Sequence, residues 1–450
     1  MLKRTFLLTA LAVGGLAAHA AVPADEAAKL KTVLTPLGAE KAGNADGSIP
    51  AWEGGATQVP PGFKAGDKRP DAFAAEKPLL QITAKNAAQY TDQLSDGMRA
   101  LLQKYPTFRI DVYPTHRTAA APAWVYDNTL KNATRAKTTH NGLSIEGAFG
   151  GVPFPLPANG HEVMWNHLLR WRGESVEIPF RVYGTSSDGR RAMAVEAKDD
   201  HQFPYYYRDG SVEKNKDGEF LLLRQVQTAP AFKAGEQILL RDPLDLGAHE
   251  RQAWQYLSGQ RRVRRAPTIA FDTPDFVSSG MNYFDEVFMF LGSLERYDWK
   301  LVGKREMFVP YNNNRFLLAP TDEVFSANHL NPDKLRWERH RVWVVEASLA
   351  PGKRHVVPKK RFYVDEDSWS VLLVDGYDAE GRLWRTQHAV PFAAPDIPAV
   401  VSTTFTVFNL QAGTWLVNNL YNDQPSPYKV MPRRPDTYFS PDALAGAGVR

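Results

Sequence analysis

Short apolar and aromatic runs, separated by polar turns, dominate the chain after about residue 175. Four of them lie close together between Trp337 and Arg385, at residues 341–349, 360–364, 369–377 and from 382 onward. They are rich in Val, Trp, Tyr and Phe, which favour β-strands. The gaps carry turn residues such as Pro351-Gly352. Runs joined by short turns of this kind predict an antiparallel meander.

The same pattern recurs on both sides of this meander. Further runs occupy residues 176–183, 190–197, 219–227, 236–240, 251–257, 261–266, 296–310, 403–410 and 414–419. Many are separated by Gly-containing turns, for example Ser187-Asp188-Gly189. The pattern predicts one large antiparallel sheet from about residue 175 to 419, with one face buried and the other solvated.

The first part of the chain is patterned differently. Residues 21–80 are rich in Pro, Gly, Ala and Asp, which predicts an irregular segment. Thr83 is suited to cap a helix over residues 84–104, because the apolar residues there form one stripe. We also predict a strand at 108–113 and helices at 123–137 and 160–172. We therefore expect a single domain at 81–424 with a helical part at 81–172, followed by an irregular tail at 425–450.

The N-terminal twenty residues have the pattern of a secretory signal peptide. Lys3 and Arg4 precede an apolar run, and Ala18-His19-Ala20 fits the cleavage rule. We expect cleavage before Ala21 and a soluble periplasmic protein. The chain has no cysteine, which excludes disulfides, thiolate chemistry and lipid attachment at a processed N-terminal cysteine. Without Lys3 and Arg4 it carries 52 basic and 50 acidic side chains, a balance that does not suggest nucleic acid as a partner.

Motifs of common catalytic and cofactor sites are absent from the sequence, so we predict no catalytic residue, no cofactor and no metal site. Two groups of side chains have donor atoms that could bind a metal. Asn44, Asp46 and Ser48 have the spacing of calcium ligands, but the closing Glu is missing, which favours a plain turn. His161 and His167 lie six residues apart in 160–172, which turns them to different helix faces and favours a capped helix.

A basic segment follows two aromatic residues in a predicted hairpin. Trp254 and Tyr256 share one face of it, and four arginines follow the turn: Arg261, Arg262, Arg264 and Arg265. These arginines are either a solvated strand that discourages edge pairing, or a basic rim for an anionic head group or an acidic partner.

Several long segments resemble a known bacterial family. The segments at 44–55 (NADGSIPAWEGG), 76–83 (EKPLLQIT), 159–173 (NGHEVMWNHLLRWRG) and 340–346 (HRVWVVE) are similar to the family called domain of unknown function 1329. Residues 254–265, 292–297 and 361–385 resemble the wider outer-membrane lipoprotein-sorting superfamily. The resemblance implies an α+β fold: a large curved antiparallel sheet, forming a half-open barrel as in LolA and LolB, with helices plugging its concave side. It implies no established activity.

Together, the apolar strands and this implied curvature predict a concave pocket for a hydrophobic ligand. Its expected lining is Trp254, Tyr256, Phe288, Trp299, Trp343, Val345, Tyr363 and Leu373. The alternative is that these side chains fill the core.

Three functions follow from this interpretation. The first is a periplasmic carrier or binding protein for a hydrophobic, lipid-like molecule. The second is a periplasmic adaptor without its own ligand. Members of the resembled family often occur beside a resistance-nodulation-division type transporter and an outer-membrane protein, which implies those partners. The third is a hydrolase, which would require a buried carboxylate–histidine pair beside a pocket serine.

Overall fold

A mostly antiparallel β-sheet runs through the computed structural model, which describes residues 22–447. The predicted signal peptide and its cleavage site before Ala21 lie outside the described residues. The strands are β1 (Leu80–Ile82), β2 (Ile110–Val112), β3 (Lys137–Thr139), β4 (Ser144–Glu146), β5 (Ser175–Thr185), β6 (Arg191–Gln202), β7 (Glu219–Ala229), β8 (Gln237–Pro243), β9 (Gln252–Leu257), β10 (Arg262–Arg265), β11 (Tyr297–Pro310), β12 (Trp337–Leu349), β13 (Lys359–Asp365), β14 (Val371–Tyr377), β15 (Leu383–Ala389), β16 (Phe392–Ala394), β17 (Ala399–Val401), β18 (Phe405–Asn409), β19 (Thr414–Leu420) and β20 (Lys429–Val430).

The helices are short and lie mainly outside the strand-rich region. The α-helices are α1 (Ala24–Ala28), α2 (Asp96–Lys104), α3 (Ala123–Arg135), α4 (Gly160–Leu168), α5 (Val212–Asn215), α6 (Asn314–Leu318) and α7 (Pro441–Ala447). Short 3₁₀-helical segments occur at Lys29–Lys31, Ala87–Gln93, His140–Gly142, Pro204–Tyr206, Ser258–Gln260, Phe284–Met289, Thr321–Val324, Pro332–Lys334 and Asp436–Phe439.

Sixteen strands form one sheet in the order β1-β2-β12-β13-β14-β15-β18-β19-β5-β6-β7-β8-β9-β10, with β11 paired to β12 and β20 to β5. Two separate hairpins, β3–β4 and β16–β17, complete the set. Among the described strands β10 and β11 do not pair, so the sheet is not closed into a barrel. The predicted α+β class with a large antiparallel sheet is confirmed.

The junction between β19 and β5 explains how the sheet is assembled. Strands β5 to β10 form one meander, and β11 to β15 with β18 and β19 form another. β19 pairs antiparallel with β5 through Val417 and Tyr183. The two outer strands, β10 and β11, are therefore neighbours in sequence but not in the sheet. Residues 266–296 connect them, and we call this segment the linker.

The predicted helix over residues 84–104 is wrong in its first half. Residues 87–93 form 3₁₀ turns, with Tyr90 outside helical geometry, and Leu94 is extended. The α-helix starts at Asp96, because the Ser95 hydroxyl accepts a hydrogen bond from the Met98 amide and caps the helix there. The predicted helices at 123–137 and 160–172 are present but end earlier, at Arg135 and Leu168.

Candidate ligand-binding cleft

The linker crosses one face of the sheet and is tied to it by buried ion pairs. Glu286 accepts two hydrogen bonds from Arg385 of β15, at 2.6 and 2.8 Å. Asp285 accepts from Lys360 of β13 at 2.5 Å and lies 3.0 Å from the ring of His355. Burial alone would raise the pKa of Asp285, but Lys360 and His355 lower it to about 2. We call this side of the sheet the linker face.

Four of the predicted lining residues lie on or against the linker face. Val345 is opposite Phe362 in the β12–β13 pair, and Trp343 and Trp299 share its side of the sheet. Trp299 packs against Phe290 of the linker, with ring centroids 5.3 Å apart. Phe288 belongs to the linker and packs against His201 and Phe405. These residues contact other core side chains, and Trp343 is only half-buried.

The other four predicted lining residues lie elsewhere. Tyr363 and Leu373 are directly paired and alternate with Phe362 and Val374, so they face away from the linker. Tyr363 donates to Asp375, whose other oxygen accepts from the Gly97 amide of α2. We call this side the α2 face.

Trp254 and Tyr256 lie on β9, next to the end strand β10. They belong to a separate cluster, which the C-terminal segment covers with Phe439 and Leu444. The structure thus brings Phe288, Trp299, Trp343 and Val345 to one face and separates them from the remaining four. Ligand binding by these residues stays a prediction.

The predicted hairpin of the basic segment is present as β9–β10, with Arg264 opposite Gln255 and Arg265 opposite Trp254. β10 is an end strand of the sheet, and its arginines are exposed, as is Arg261 at the turn. Arg264 donates to Gln255 at 3.0 Å. Whether Arg261, Arg262, Arg264 and Arg265 bind an anionic group stays a prediction.

A cleft of about 340 Å³ opens where the two ends of the linker meet the β8–β9 loop. Leu246, Pro267, Ala270 and Phe271 give it an apolar part, and Arg251 and Arg296 give it a cationic part. The complete lining is Leu246, His249, Glu250, Arg251, Pro267, Thr268, Ala270, Phe271, Asp272, Thr273, Gly292, Ser293, Glu295 and Arg296.

The two guanidinium groups of the cleft are held differently. Arg251 makes a two-point ion pair with buried Asp242, at 2.6 and 2.7 Å. Arg296 lies 4.1 Å from the centre of the Phe271 ring and donates to the Arg354 carbonyl. Its Nε is buried and makes no hydrogen bond among the described residues, and it lies 3.5 Å from a carboxylate oxygen of Glu295. A buried donor of this kind can donate a hydrogen bond to an anionic or carbonyl oxygen of a ligand.

Sequence reasoning missed this cleft. Its residues come from three separate segments, 246–251, 267–273 and 292–296. None of these segments carries a motif. The only sequence signal of residues 292–297 is their resemblance to the lipoprotein-sorting superfamily. The cleft forms where the two ends of the linker, residues 267–273 and 292–296, come together, and no local sequence signal specifies that contact.

A second groove is lined in part by Ser144 and Asp245, and His140 lies beside these two residues. His140 Nδ1 lies 3.1 Å from Ser144 Oγ and 3.4 Å from Asp245 Oδ1. Ser144 donates its proton to Asp245, and the same aspartate accepts from the amides of Gly247 and Ala248. A nucleophilic triad needs the serine and the carboxylate on opposite ring nitrogens. This arrangement stabilises a turn and does not have triad geometry.

The two groups weighed as metal ligands have other partners. Asp46 accepts from Ser48 and pairs with Arg339 at 2.7 Å, while Asn44 accepts from the Ile49 amide. At the start of α4, the Glu162 amide donates to Asn159 Oδ1, and the Glu162 carboxylate accepts from the Asn159 side-chain amide. His167 accepts from the Val371 amide through Nδ1. A different group, His340 with Asp365 and Asp367, has the donor atoms and spacing to hold a cation.

Comparison with known proteins places the chain in a family. The model of the family described as "Protein of unknown function (DUF1329)" matches residues 81–445. The chain is also 40% identical to the uncharacterized protein PA3922 of Pseudomonas aeruginosa over 437 residues, covering 96% of this chain and 95% of that one. The chain therefore belongs to the DUF1329 family, as its sequence motifs predict.

Solved structures with similar elements are more distant. A putative outer membrane lipoprotein-sorting protein domain from Vibrio parahaemolyticus covers 63% of this chain and 97% of its own, at 15% identity and a TM-score of 0.43. A DUF1329 family protein from Desulfovibrio piger covers 60% and 92%, at 17% identity and a TM-score of 0.41. A LolA superfamily protein from Nitrosomonas europaea covers 64% and 100%, at 12% identity and a TM-score of 0.37.

Proposed function

We propose that this protein binds a hydrophobic molecule with an anionic or polar head group and carries it in the periplasm. The observation that supports this proposal is the cleft at the linker ends. Its volume of about 340 Å³ is in the range of small-molecule sites, which combine apolar walls with a few polar groups. Within residues 22–447, no helix combines the length and apolar character needed to cross a bilayer.

The chemistry of the cleft indicates how such a ligand would lie. Leu246, Pro267 and Phe271 would contact the apolar part, and each buried methylene would contribute about 0.8 kcal/mol. Arg296 Nε, which makes no hydrogen bond among the described residues, would donate a charge-assisted hydrogen bond to the head group. Asp242 pairs with Arg251 through two hydrogen bonds, whereas Glu295 approaches Arg296 only at 3.5 Å, so Arg296 is the residue we expect to select an anion.

The proposal can be tested with cis-parinaric acid, a fluorescent fatty acid with a carboxylate head. We expect saturable binding to the purified mature protein. Arg296→Met should weaken that binding about tenfold, the effect of losing roughly 1.4 kcal/mol from a charged hydrogen bond. Thr268→Trp should block the cleft from an exposed position on its wall.

Ala412→Trp is the matched control, because Ala412 is exposed in the β18–β19 turn and does not line the cleft. It should bind the probe as the unmodified protein does. Absence of saturable binding, together with a lipid-free protein after purification from the periplasm, would refute the carrier proposal. Equal binding by Thr268→Trp and Ala412→Trp would refute this cleft as the site.

An adaptor function is the second candidate, and one observation favours it. The linker face is covered by packed aromatic side chains of the protein itself, including Phe290 on both Trp299 and Phe362. A protein without its own ligand needs no space there. Cross-linking in the native envelope, with a resistance-nodulation-division type transporter and an outer-membrane protein as the expected partners, would support the adaptor if probe binding fails.

A further inference from the structure

A buried histidine and two buried aspartates meet at the turn between β13 and β14. His340 lies on β12, Asp365 ends β13 and Asp367 follows in the turn, and all three are buried. One donor atom from each lies within 4.8 Å of the other two. The three residues come from two sequence segments, HRVW and DEDSW, whose pairing in the sheet brings them together.

The space between these donors does not hold a hydrogen bond. His340 Nδ1 is 3.7 Å from Asp365 Oδ1 and 4.0 Å from Asp367 Oδ2, and both distances exceed hydrogen-bond length. Asp365 Oδ1 is buried without a hydrogen-bond partner in the described part of the chain. Donor atoms at these separations can each lie about 2.0–2.5 Å from one shared cation.

The surrounding residues orient His340 and Asp365 toward that space. The other ring nitrogen of His340 bonds to Glu338 at 3.1 Å, the carboxylate contact that metal-binding histidines commonly make. Tyr311 stacks on the imidazole at 3.9 Å and donates to Asp365 Oδ2, which also accepts from Ser368. Asp365 is thus fixed through one oxygen and presents the other.

The local charges leave Asp365 without a permanent counter-charge. Asp367 pairs with Arg117 and Glu338 with Arg336. Within residues 22–447, the only basic partner of Asp365 at ion-pair distance is His340. A buried carboxylate without a cation is costly.

We propose that His340, Asp365 and Asp367 bind one divalent transition-metal cation, such as Zn²⁺ or Mn²⁺. One imidazole and two carboxylates are donors that such cations accept. The cation would fasten the β13–β14 turn to β12. Through Arg117, which donates to the carbonyls of Glu40, Lys41 and Pro50, it would also hold the N-terminal segment against the sheet. The site is therefore structural and independent of the proposed cleft.

The metal content of the full mature protein, purified without chelators, tests this proposal directly. We expect one equivalent of metal by plasma mass spectrometry. His340→Gln and Asp365→Asn should retain at least tenfold less, and Glu338→Gln should weaken metal affinity about 10–100-fold by releasing the imidazole. His388→Gln and Asp378→Asn, which alter a histidine and a carboxylate outside the cluster, should keep the full equivalent.

A second measurement does not depend on the variants folding. Unmodified protein unfolded in chelator should refold with a lower melting temperature, and Zn²⁺ or Mn²⁺ should restore it while Mg²⁺ does not. Less than a tenth of an equivalent in the purified protein, with no cation raising the melting temperature, would overturn the proposal. In that case, protonated His340 would be the counter-charge of Asp365. Neither outcome affects fatty-acid binding at the cleft.

Discussion

Glu286 and Arg385 form a two-point ion pair, at 2.6 and 2.8 Å, between the linker and the centre of the sheet. Both side chains are buried, and Arg385 also lies 4.7 Å from the centre of the Tyr283 ring. The pair holds the linker against β15. Because the linker ends form the cleft, this contact connects the stability of the sheet with the shape of the proposed ligand site.

Removing one charge of this pair should destabilise the protein strongly. Glu286→Gln leaves the Arg385 guanidinium buried without a carboxylate, which typically costs 3–5 kcal/mol. Glu380→Gln is the control, because Glu380 forms an exposed pair with Arg382 and such pairs contribute roughly 0–1 kcal/mol. Urea unfolding measures both. Equal free energies of unfolding for the two variants would contradict a stabilising role for the linker contact.

Asp375 should make stability fall as pH rises from about 4 to 7. Burial, together with Asp96, raises its pKa to about 6. A carboxyl with a folded-state pKa above its unfolded value binds its proton more tightly when folded. Its stabilising contribution is therefore full below the unfolded pKa near 4 and is lost as pH rises through about 6. The loss is on the order of 3 kcal/mol for a shift of this size.

Asp375→Asn removes this titration with little change in shape. The free energy of unfolding of the variant, relative to the unmodified protein, should rise between pH 4 and pH 8. Asp92→Asn, at an exposed position, should give a constant difference over the same range. A constant difference for Asp375→Asn as well would show that Asp375 keeps an ordinary pKa.

Strands were the part of the fold that sequence could predict. Period-two apolar patterns and turn residues act locally, so runs such as residues 360–364 and 414–419 correspond to β13 and β19. The pairing of β19 with β5 joins residues more than 200 positions apart. No local signal specifies such a partner, and the placement of the linker and its cleft depends on it.

The environment of buried side chains is equally hard to predict from the sequence. An alternating strand places Trp254, Tyr256, Trp343 and Leu373 on a face, but the sequence does not say which element covers that face. Trp254 and Tyr256 are covered by the C-terminal segment, whose composition predicts an irregular tail. Its short helix α7 has little intrinsic stability, and the apolar contacts of Leu444 and Phe439 hold it in place.

The C-terminal segment should therefore contribute measurably to stability. Leu444 is fully buried against Leu222, Leu239 and Tyr256, so Leu444→Ala should lower the free energy of unfolding by about 2–5 kcal/mol. Leu79→Ala removes the same atoms from a residue that is 74% exposed and should change it by less than about 0.5 kcal/mol. A similar, small effect of both substitutions would mean that the segment does not cover the sheet.

Leu373→Trp distinguishes a filled sheet interior from an empty one. Leu373 is fully buried on the α2 face between Tyr363 and His388. A larger side chain there should overpack the core and cost roughly 1–3 kcal/mol, whereas Leu373→Met should cost less than about 1.5 kcal/mol. Val356→Trp, at an exposed position, controls for the added indole and should leave the melting temperature unchanged.

The same three variants also test where a ligand binds. If the cleft at the linker ends is the site, Leu373→Trp should lower the melting temperature. At a temperature where this variant is folded, it should still bind cis-parinaric acid with unchanged affinity. The opposite result, an unchanged melting temperature with lost probe binding, would require empty space around Leu373. It would move the ligand site from the linker ends to the interior of the sheet, where the aromatic residues of the sequence pattern predict it.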